Sequence, residues 1–376
     1  MENNVPKDVA IIGGGLAGLV SANLLAKAGL DVILIEKKTY PFHKVCGEYV
    51  SNETLEFLQK NKLFPAEFQP TNISRLLISS PKGKTVEADL ELGGFGISRY
   101  VFDDFLYKQA LKNGSGLLLG SKVNDVDFQN DLFSLKISDG NILRSKIVIG
   151  AFGKRSNLDR ELQRPFMQKR SPYIGVKYHI RNQNFNKNSI ALYNFKDGYC
   201  GVNAIEDEKL CLCYLTTRQN LKDHGSIEKM EQQVLYQNPL LKELYQQSEF
   251  LYDKPEVINE ISFEKKEPVN NHILMSGDAA GMIAPLCGNG MAMAIHAAKI
   301  ASDEVIDYFN NHRNRKILEQ NYTVKWNRLF AQRLWIGMQV QLLFGKPFLS
   351  ELAVAACKNS RPLLNFIMKQ THGKPF

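Results

Sequence analysis

Residues 8–38, DVAIIGGGLAGLVSANLLAKAGLDVILIEKK, decide the fold. The apolar run Val9 to Ile12 reads as a buried strand, and Gly13, Gly15 and Gly18 follow it in the spacing GxGxxG. Leu16, Leu19, Ala22, Leu24, Leu25 and Ala28 then recur at helical spacing until Gly29 ends the pattern, and a second strand closes at Glu36. The glycines serve three physical purposes. Gly13 makes the turn, Gly15 lets backbone approach a pyrophosphate, and Gly18 lets helix and strand close on each other. Unpaired amides at the helix start favour the phosphates. Glu36, eighteen residues after Gly18, is placed to bind adenosine ribose hydroxyls, with Lys37 beside it among the expected cofactor contacts. An acid there disfavours a 2′-phosphate, so FAD or NAD is expected in preference to NADP.

A chain of 376 residues exceeds what one growing core supports, which predicts two interleaved domains or one domain with a large insertion. Hydrophobic residues make up 44% and charged residues 23%, and no apolar run reaches the roughly eighteen residues of a membrane span, which excludes an integral membrane protein. The opening MENNVPKDVAIIGGG has no basic region followed by an apolar stretch, so a cytoplasmic location is expected. Six scattered cysteines read as thiols rather than a disulfide framework. The formal charge of +8 fits a solvated basic surface as well as an anionic partner; no nucleic-acid partner is expected.

Residues 271–305, NHILMSGDAAGMIAPLCGNGMAMAIHAAKIASDEV, choose between the two cofactors. They read as a strand, an acid-bearing turn, a glycine loop and a helix of small residues. Asp278, after Gly277, is placed to accept hydrogen bonds from ribityl hydroxyls. The loop of Pro285, Gly288 and Asn289 leads into a helix whose positive end, at Gly290 and Met291, would face a flavin pyrimidine. Together with Glu36 and the stretch ISRYVFDDFL (97–106), these motifs resemble, in order and content, FAD-dependent oxidoreductases of the p-hydroxybenzoate hydroxylase fold. That superfamily includes aromatic monooxygenases, flavin-dependent halogenases and geranylgeranyl reductases.

The resemblance implies an α/β fold: a discontinuous Rossmann-type FAD-binding domain (1–70, 98–165 and 266–310), an inserted, mainly antiparallel β-sheet substrate domain (71–97 and 166–265), and a C-terminal helical cap (311–376). It implies one FAD, contacted by Arg99; the alternative for Arg99 is a surface ion pair. No second GxGxxG follows, so NADH or NADPH is expected only as a transient electron donor.

Four departures narrow the reaction. Phe152 stands where aromatic hydroxylases carry the Asp of an Asp-Gly motif, and Gly281 where many carry a histidine after GDAA. KVCG (44–47) resembles the geranylgeranyl reductases, whose cysteine lies close to the flavin, yet their Tyr-x-Trp-x-Phe-Pro strand has only DGYCGVNAI around Tyr199 as a counterpart. The halogenases' Trp-x-Trp-x-Ile-Pro motif is not recognisable. Cys46 is therefore either a small buried hydrophobe or a thiol beside the isoalloxazine, with Cys287 approaching from the other side. Glu48 is the candidate acid, its pKa expected to be raised by desolvation; its alternative is to cap the helix around Asn52 to Gln59. His43 is ambiguous, no His or Cys cluster has metal spacing, and no metal is expected. Cys211 and Cys213 alternate on a strand and read as one core face.

The middle of the chain alternates apolar and polar residues with turn signals, as an antiparallel sheet does. Its tyrosines, including Tyr199, suggest an apolar substrate pocket. The segment from Asn310 is helical, basic and aromatic, with Arg313, Arg315, Lys316, Lys325, Arg328 and Arg333 against Glu319. It reads as a peripheral contact with an anionic bilayer or as a cap whose basic face lies in water. The expected function is FAD-dependent oxidation chemistry on an apolar small molecule. Hydroxylation of an aromatic or polyketide-like compound is favoured over prenyl double-bond reduction, and a flavin-dependent ligand sensor or carrier is the non-enzymatic alternative. Oligomeric state is not legible.

Overall fold

The computed structural model describes residues 5–284, 286, 288–343, 345–371 and 373–376. Two sheets organise them. The first runs, in spatial order, Val269–Asn270, Ile273–Met275, Ile142–Gly150, Lys7–Ile12, Val32–Glu36 and Gly116–Leu119; the hairpin Val123–Gln129 and Leu132–Ile137 is attached to Ile142–Gly150. From Ile273–Met275 to Gly116–Leu119 every pairing is parallel. That arrangement requires both faces to be covered, and the strands accordingly read as near-continuous apolar runs. The helices Leu16–Lys27 and Gly290–Asn310 cover it, and Val9, Ala10, Ile11, Leu34, Val148 and Ile149 are completely buried.

The second sheet runs Glu249–Phe250, Tyr173–Arg181, Leu210–Thr217, Gly198–Ala204, Ser189–Phe195, Thr71–Ser79, Thr85–Gly96 and Tyr49–Ser51. It is antiparallel except where Ser189–Phe195 meets Thr71–Ser79. This is the α/β fold with a second, mainly antiparallel sheet that the motifs imply. Tyr49–Ser51, although within residues 1–70, pairs with Thr85–Gly96 and joins the second sheet. The loop that carries Cys46 therefore passes directly from one sheet to the other.

One face of the second sheet packs against helices Ile227–Val234 and Pro239–Gln246, started by the caps Ser226 and Asn238. Inside this core the Glu231 carboxylate accepts hydrogen bonds from the hydroxyls of Tyr214 (2.8 Å) and Tyr178 (3.1 Å). Burial raises its pKa, the hydroxyl bonds oppose that, and the balance lies at about 7. A folded-state pKa above the unfolded value contributes stability that is complete at low pH and is lost as pH rises through about 7. Glu231→Gln is expected to remove that dependence. Its stability relative to the parent should grow by roughly 3 kcal/mol between pH 5 and 8. Urea unfolding at several pH values checks this, and a constant difference would refute it.

The long helix Arg315–Leu343 buries Leu318, Tyr322, Trp326 and Phe330 against the first sheet's core, and the Tyr322 hydroxyl donates to the Met275 carbonyl at 2.5 Å. The basic face expected of this segment is largely neutralised. Arg313 pairs with Asp307, Arg315 with Asp131, Lys325 with Glu304 and Arg333 with Glu53. Acids on other elements, invisible in the helix itself, bind four of the six cations. No described helix is long and apolar enough to cross a membrane.

Candidate active site

The glycine turn has the geometry its sequence requires. Gly13 has φ +105°, and a Cβ there would lie 2.5 Å from the Ala151 carbonyl oxygen. A Cβ on Gly18 would meet the Gly13 carbonyl oxygen at 2.0 Å. A Cβ on Gly15 would meet only Arg99 Nη2 and Lys44 Nζ, both at 3.9 Å, so open space between the helix start and two cations faces this residue. The helix Leu16–Lys27 has neither a side-chain cap nor an acid in its first turn. Free amides, a positive helix end and two cations around an unfilled space suit a pyrophosphate.

Arg99 is not a surface residue. Its guanidinium grips Asp103 in a fork (Nε to Oδ1 and Nη2 to Oδ2, each 2.7 Å), and Lys44 Nζ donates to the same carboxylate at 2.9 Å. The buried Asp103 thus holds both cations beside Gly15. Glu36 is buried and accepts from the Gly14 amide (2.7 Å) and the Lys38 amide (3.0 Å), while Lys37 is exposed.

The acid-bearing turn is clamped from outside. Fully buried Arg164 pairs with Asp159 and donates to the Ala279 carbonyl at 2.8 Å, and Lys266 Nζ donates to the Asp278 carbonyl at 2.7 Å. The Asp278 carboxylate has no hydrogen-bond partner among the described residues and faces Lys266, Arg99 and Lys154; burial raises its pKa against these cations. Desolvation in turn lowers Lys154 and Lys266 to about 8 each. An unpartnered acceptor on a rigid turn fits ribityl hydroxyls. Gly277 has φ +62°, Gly290 opens the helix Gly290–Asn310 with no acid in its first turn, and Met291 is buried. Asn289, at the helix start, is buried and its amide reaches Glu53 at 3.4 Å. Gly288 has φ +63°. Pro285 and Cys287 lie outside the described residues. These groups would hold FAD.

Gly281 and Phe152, the two departures from the hydroxylases, have packing reasons. A Cβ on Gly281 would meet the side chains of Leu334 and Trp326 of the long helix at 2.9 and 3.0 Å, so a histidine there would have to displace both. The Phe152 ring folds back over Gly150, where a Cβ would meet it at 2.8 Å.

Glu48 corrects the expectation made for it. It does not cap the helix near Asn52, where Ser51 does so, and its pKa is not raised. It is fully buried with φ +55°; Oε1 accepts from Lys177 Nζ (2.5 Å) and the Arg99 amide (2.8 Å), and Oε2 lies 2.6 Å from His179 Nε2. Burial raises the carboxyl, but the Lys177 charge and the His179 bond outweigh it and bring it down to about 2. Lys177, also fully buried, is held above its ordinary value: desolvation lowers it, and Glu48 more than compensates. His179 Nδ1 meets the Tyr252 hydroxyl at 2.8 Å, which reaches His43 at 3.0 Å.

Cys46 lies in this network, half-buried. Cys211 Sγ donates to its carbonyl at 3.2 Å, and the Glu48 amide lies 3.5 Å from its sulfur. The cysteine face of strand Leu210–Thr217 thus meets the Cys46 loop rather than an apolar core. Burial pushes the Cys46 thiol above its ordinary value, against the lowering charge of Arg99. Glu48, His179 and Cys211 bring ligand-type atoms within 4.8 Å, although their spacing in the chain suggested nothing of the kind. The Lys177 ammonium already supplies the cation that this carboxylate needs. Tyr199 is buried in a separate cluster with Tyr49, Ile190 and Leu215, which Val354, Cys357 and Leu364 cover from the C-terminal helices.

Lys177, His179 and Tyr252 escaped the sequence reading. The available signal was a lysine and a histidine two residues apart in YIGVKYHIR, a strand whose other residues before the exposed Arg181 are apolar or aromatic.

Comparison with known proteins agrees with this geometry. The FAD binding domain family model matches residues 7–85. Conditioned medium factor receptor 1 of Dictyostelium discoideum is 24% identical over 98% of this chain and 77% of its own length. Digeranylgeranylglycerophospholipid reductase 2 of Methanopyrus kandleri is 24% identical over 96% and 92%. Among solved structures, a geranylgeranyl bacteriochlorophyll reductase-like protein from Thermoplasma acidophilum superposes with a TM-score of 0.76 at 19% identity, covering 99% of this chain and 94% of its own. The flavin-dependent brominase Bmp2 does so with 0.79 at 17% identity, covering 98% and 93%. With the glycine turn, the clamped acid-bearing turn and the second sheet in place, the chain is an FAD-dependent oxidoreductase of the p-hydroxybenzoate hydroxylase fold.

Proposed function

We propose that the protein saturates carbon–carbon double bonds in an apolar, prenyl-bearing substrate, with Cys46 as proton donor. The observation that carries this reading is the place of Cys46: its sulfur lies 3.5 Å from the Glu48 amide and within reach of the Arg99 guanidinium, the same group that stands beside Gly15. An ordinary thiol keeps its proton at neutral pH and burial raises this one further, while the Glu48 amide and Arg99 would stabilise sulfur once the proton has left. Bound FAD, once reduced by a donor such as NADPH, supplies a hydride equivalent. Cys46 Sγ gives its proton to the second carbon, so one hydride and one proton close the bond, and solvent returns the proton to sulfur. Arg99 and Lys44 would hold the pyrophosphate and Asp278 the ribityl chain, with Arg99 also within reach of Cys46. The tyrosine-bearing sheet would exclude water.

The relative named a digeranylgeranylglycerophospholipid reductase supports this class of substrate. Hydroxylation, favoured on sequence, gives no role to a proton donor in the Cys46 loop, and Phe152 and Gly281 depart from the hydroxylases, which is why reduction is preferred. The test is anaerobic turnover of a geranylgeranylated glycerophospholipid by the FAD-loaded protein reduced with dithionite, read by mass spectrometry. A gain of two hydrogens per double bond is expected, and Cys46→Ala should slow it roughly a hundredfold without loss of FAD. Oxygen insertion under air with no anaerobic saturation would refute the proposal.

A further inference from the structure

We propose that the outward face of the last three helices is a docking surface for an anionic lipid bilayer. This goes beyond the reaction proposed above and does not depend on it.

Among the described residues, fifteen large apolar side chains are exposed, and six of them fall between 335 and 366. They come in pairs one helical turn apart: Trp335 and Met338 on Arg315–Leu343, Phe348 and Leu352 on Pro347–Asn359, and Leu363 and Phe366 on Arg361–Thr371. Phe348 is 73% exposed, Phe366 61% and Trp335 60%, so these are whole side chains in solvent rather than grazed edges. The three helices pack on one another. On Pro347–Asn359 the inward residues Ser350, Val354 and Cys357 are buried against the second sheet, and at 100° per residue Phe348 and Leu352 point the opposite way. A helix of this length with apolar residues on both faces is ordinarily covered on both.

Charge identifies what covers the outer face. Residues 335–376 carry Lys346, Lys358, Arg361, Lys369 and Lys374 against the single acid Glu351. Glu351 is turned away, accepting from the Lys82 amide at 2.8 Å. Lys346, Lys358, Arg361 and Lys374 are exposed, whereas the cations of the preceding segment are mostly bound in internal pairs. Apolar pairs flanked by exposed cations, with a tryptophan among them, match a headgroup boundary: rings and leucines enter the acyl region while basic groups meet phosphates. Neither Pro347–Asn359 nor Arg361–Thr371 can span the bilayer, so they would lie in its plane.

Full-length FAD-loaded protein is to be sedimented with vesicles of phosphatidylcholine alone and of phosphatidylcholine with phosphatidylglycerol. Binding to the anionic vesicles is expected. The variant Phe348→Ser/Leu352→Ser/Phe366→Ser, which alters only exposed positions, should lower partitioning about a hundredfold with FAD content unchanged. Lys346→Glu/Lys358→Glu/Arg361→Glu should abolish the preference for phosphatidylglycerol. No binding by the parent protein, equal binding to both vesicles, or unchanged partitioning of the serine variant would overturn the proposal. So would a parent dimer, seen by analytical ultracentrifugation, that the serine variant dissociates while neither protein binds vesicles; the face would then belong to a second copy of the chain.

Discussion

Lys177→Met is expected to destabilise the fold by about 3–5 kcal/mol and to reverse the sign of one part of its pH dependence. The ammonium and the Glu48 carboxylate are each fully buried and 2.5 Å apart, and methionine replaces the stem without the charge. The carboxylate would then lie in a low-dielectric site with only the His179 ring and the Arg99 amide, and removing one partner of a buried pair costs far more than the pair contributes. In the parent protein the Glu48 pKa lies at about 2, below its unfolded value. The pair's stabilisation is therefore present above the unfolded pKa and is lost as pH falls towards 2. Without Lys177, desolvation dominates and the folded pKa rises above the unfolded one, so lowering the pH stabilises the variant relative to the parent. Urea unfolding of both proteins across the acid range reads this difference. Glu48→Gln in the Lys177→Met background should recover most of the loss, since a neutral amide needs no counter-charge. A single variant as stable as the parent, or a double variant no better than the single, would show that the pair is not what holds the Cys46 loop between the sheets.

What is legible in the chain is whatever its own neighbours determine. Gly13, Gly18 and Glu36 act within one strand–turn–helix unit, and their roles in packing and turning follow from spacing alone. Glu48 is misread because its partners lie on a strand more than a hundred residues away: burial alone raises a carboxyl, and only the tertiary fold brings Lys177 and His179 to it. Gly281 is a visible departure without a visible cause, since Trp326 and Leu334, which lie over it, come from the long helix Arg315–Leu343. The basic helix misleads for the same reason. A run of cations records charge but not the acids opposite it, and Asp131, Glu304 and Glu53 all come from elsewhere. Periodicity can place the C-terminal helices, but it cannot say that Phe348 and Leu352 face outward, because their inner face is equally apolar.

Gly15→Ala and Gly18→Ala, two methyl additions three residues apart, should abolish flavin retention by different routes. At Gly18 the new Cβ would stand 2.0 Å from the Gly13 carbonyl oxygen, which is backbone and cannot turn aside. Helix Leu16–Lys27 must move off the first strand, so stability should fall by roughly 1–3 kcal/mol along with FAD affinity. At Gly15 the backbone is extended at φ −83°, which alanine adopts freely, and nothing lies closer than 3.9 Å. That variant should fold as well as the parent. Its methyl occupies the space between the helix amides and the cations of Arg99 and Lys44, so FAD affinity should drop about a hundredfold, equivalent to roughly 2.7 kcal/mol. Gly29→Ala is the control: φ +83° imposes about 1 kcal/mol of backbone strain, no atom lies within 4 Å, and flavin binding should not change. Flavin absorbance after gel filtration, read beside thermal unfolding of the apoproteins, separates the three. If Gly15→Ala keeps its flavin, the space in front of the helix is not where the pyrophosphate lies. If it loses stability as Gly18→Ala does, that space is structural, and the two cations held by Asp103 have some other anion to meet.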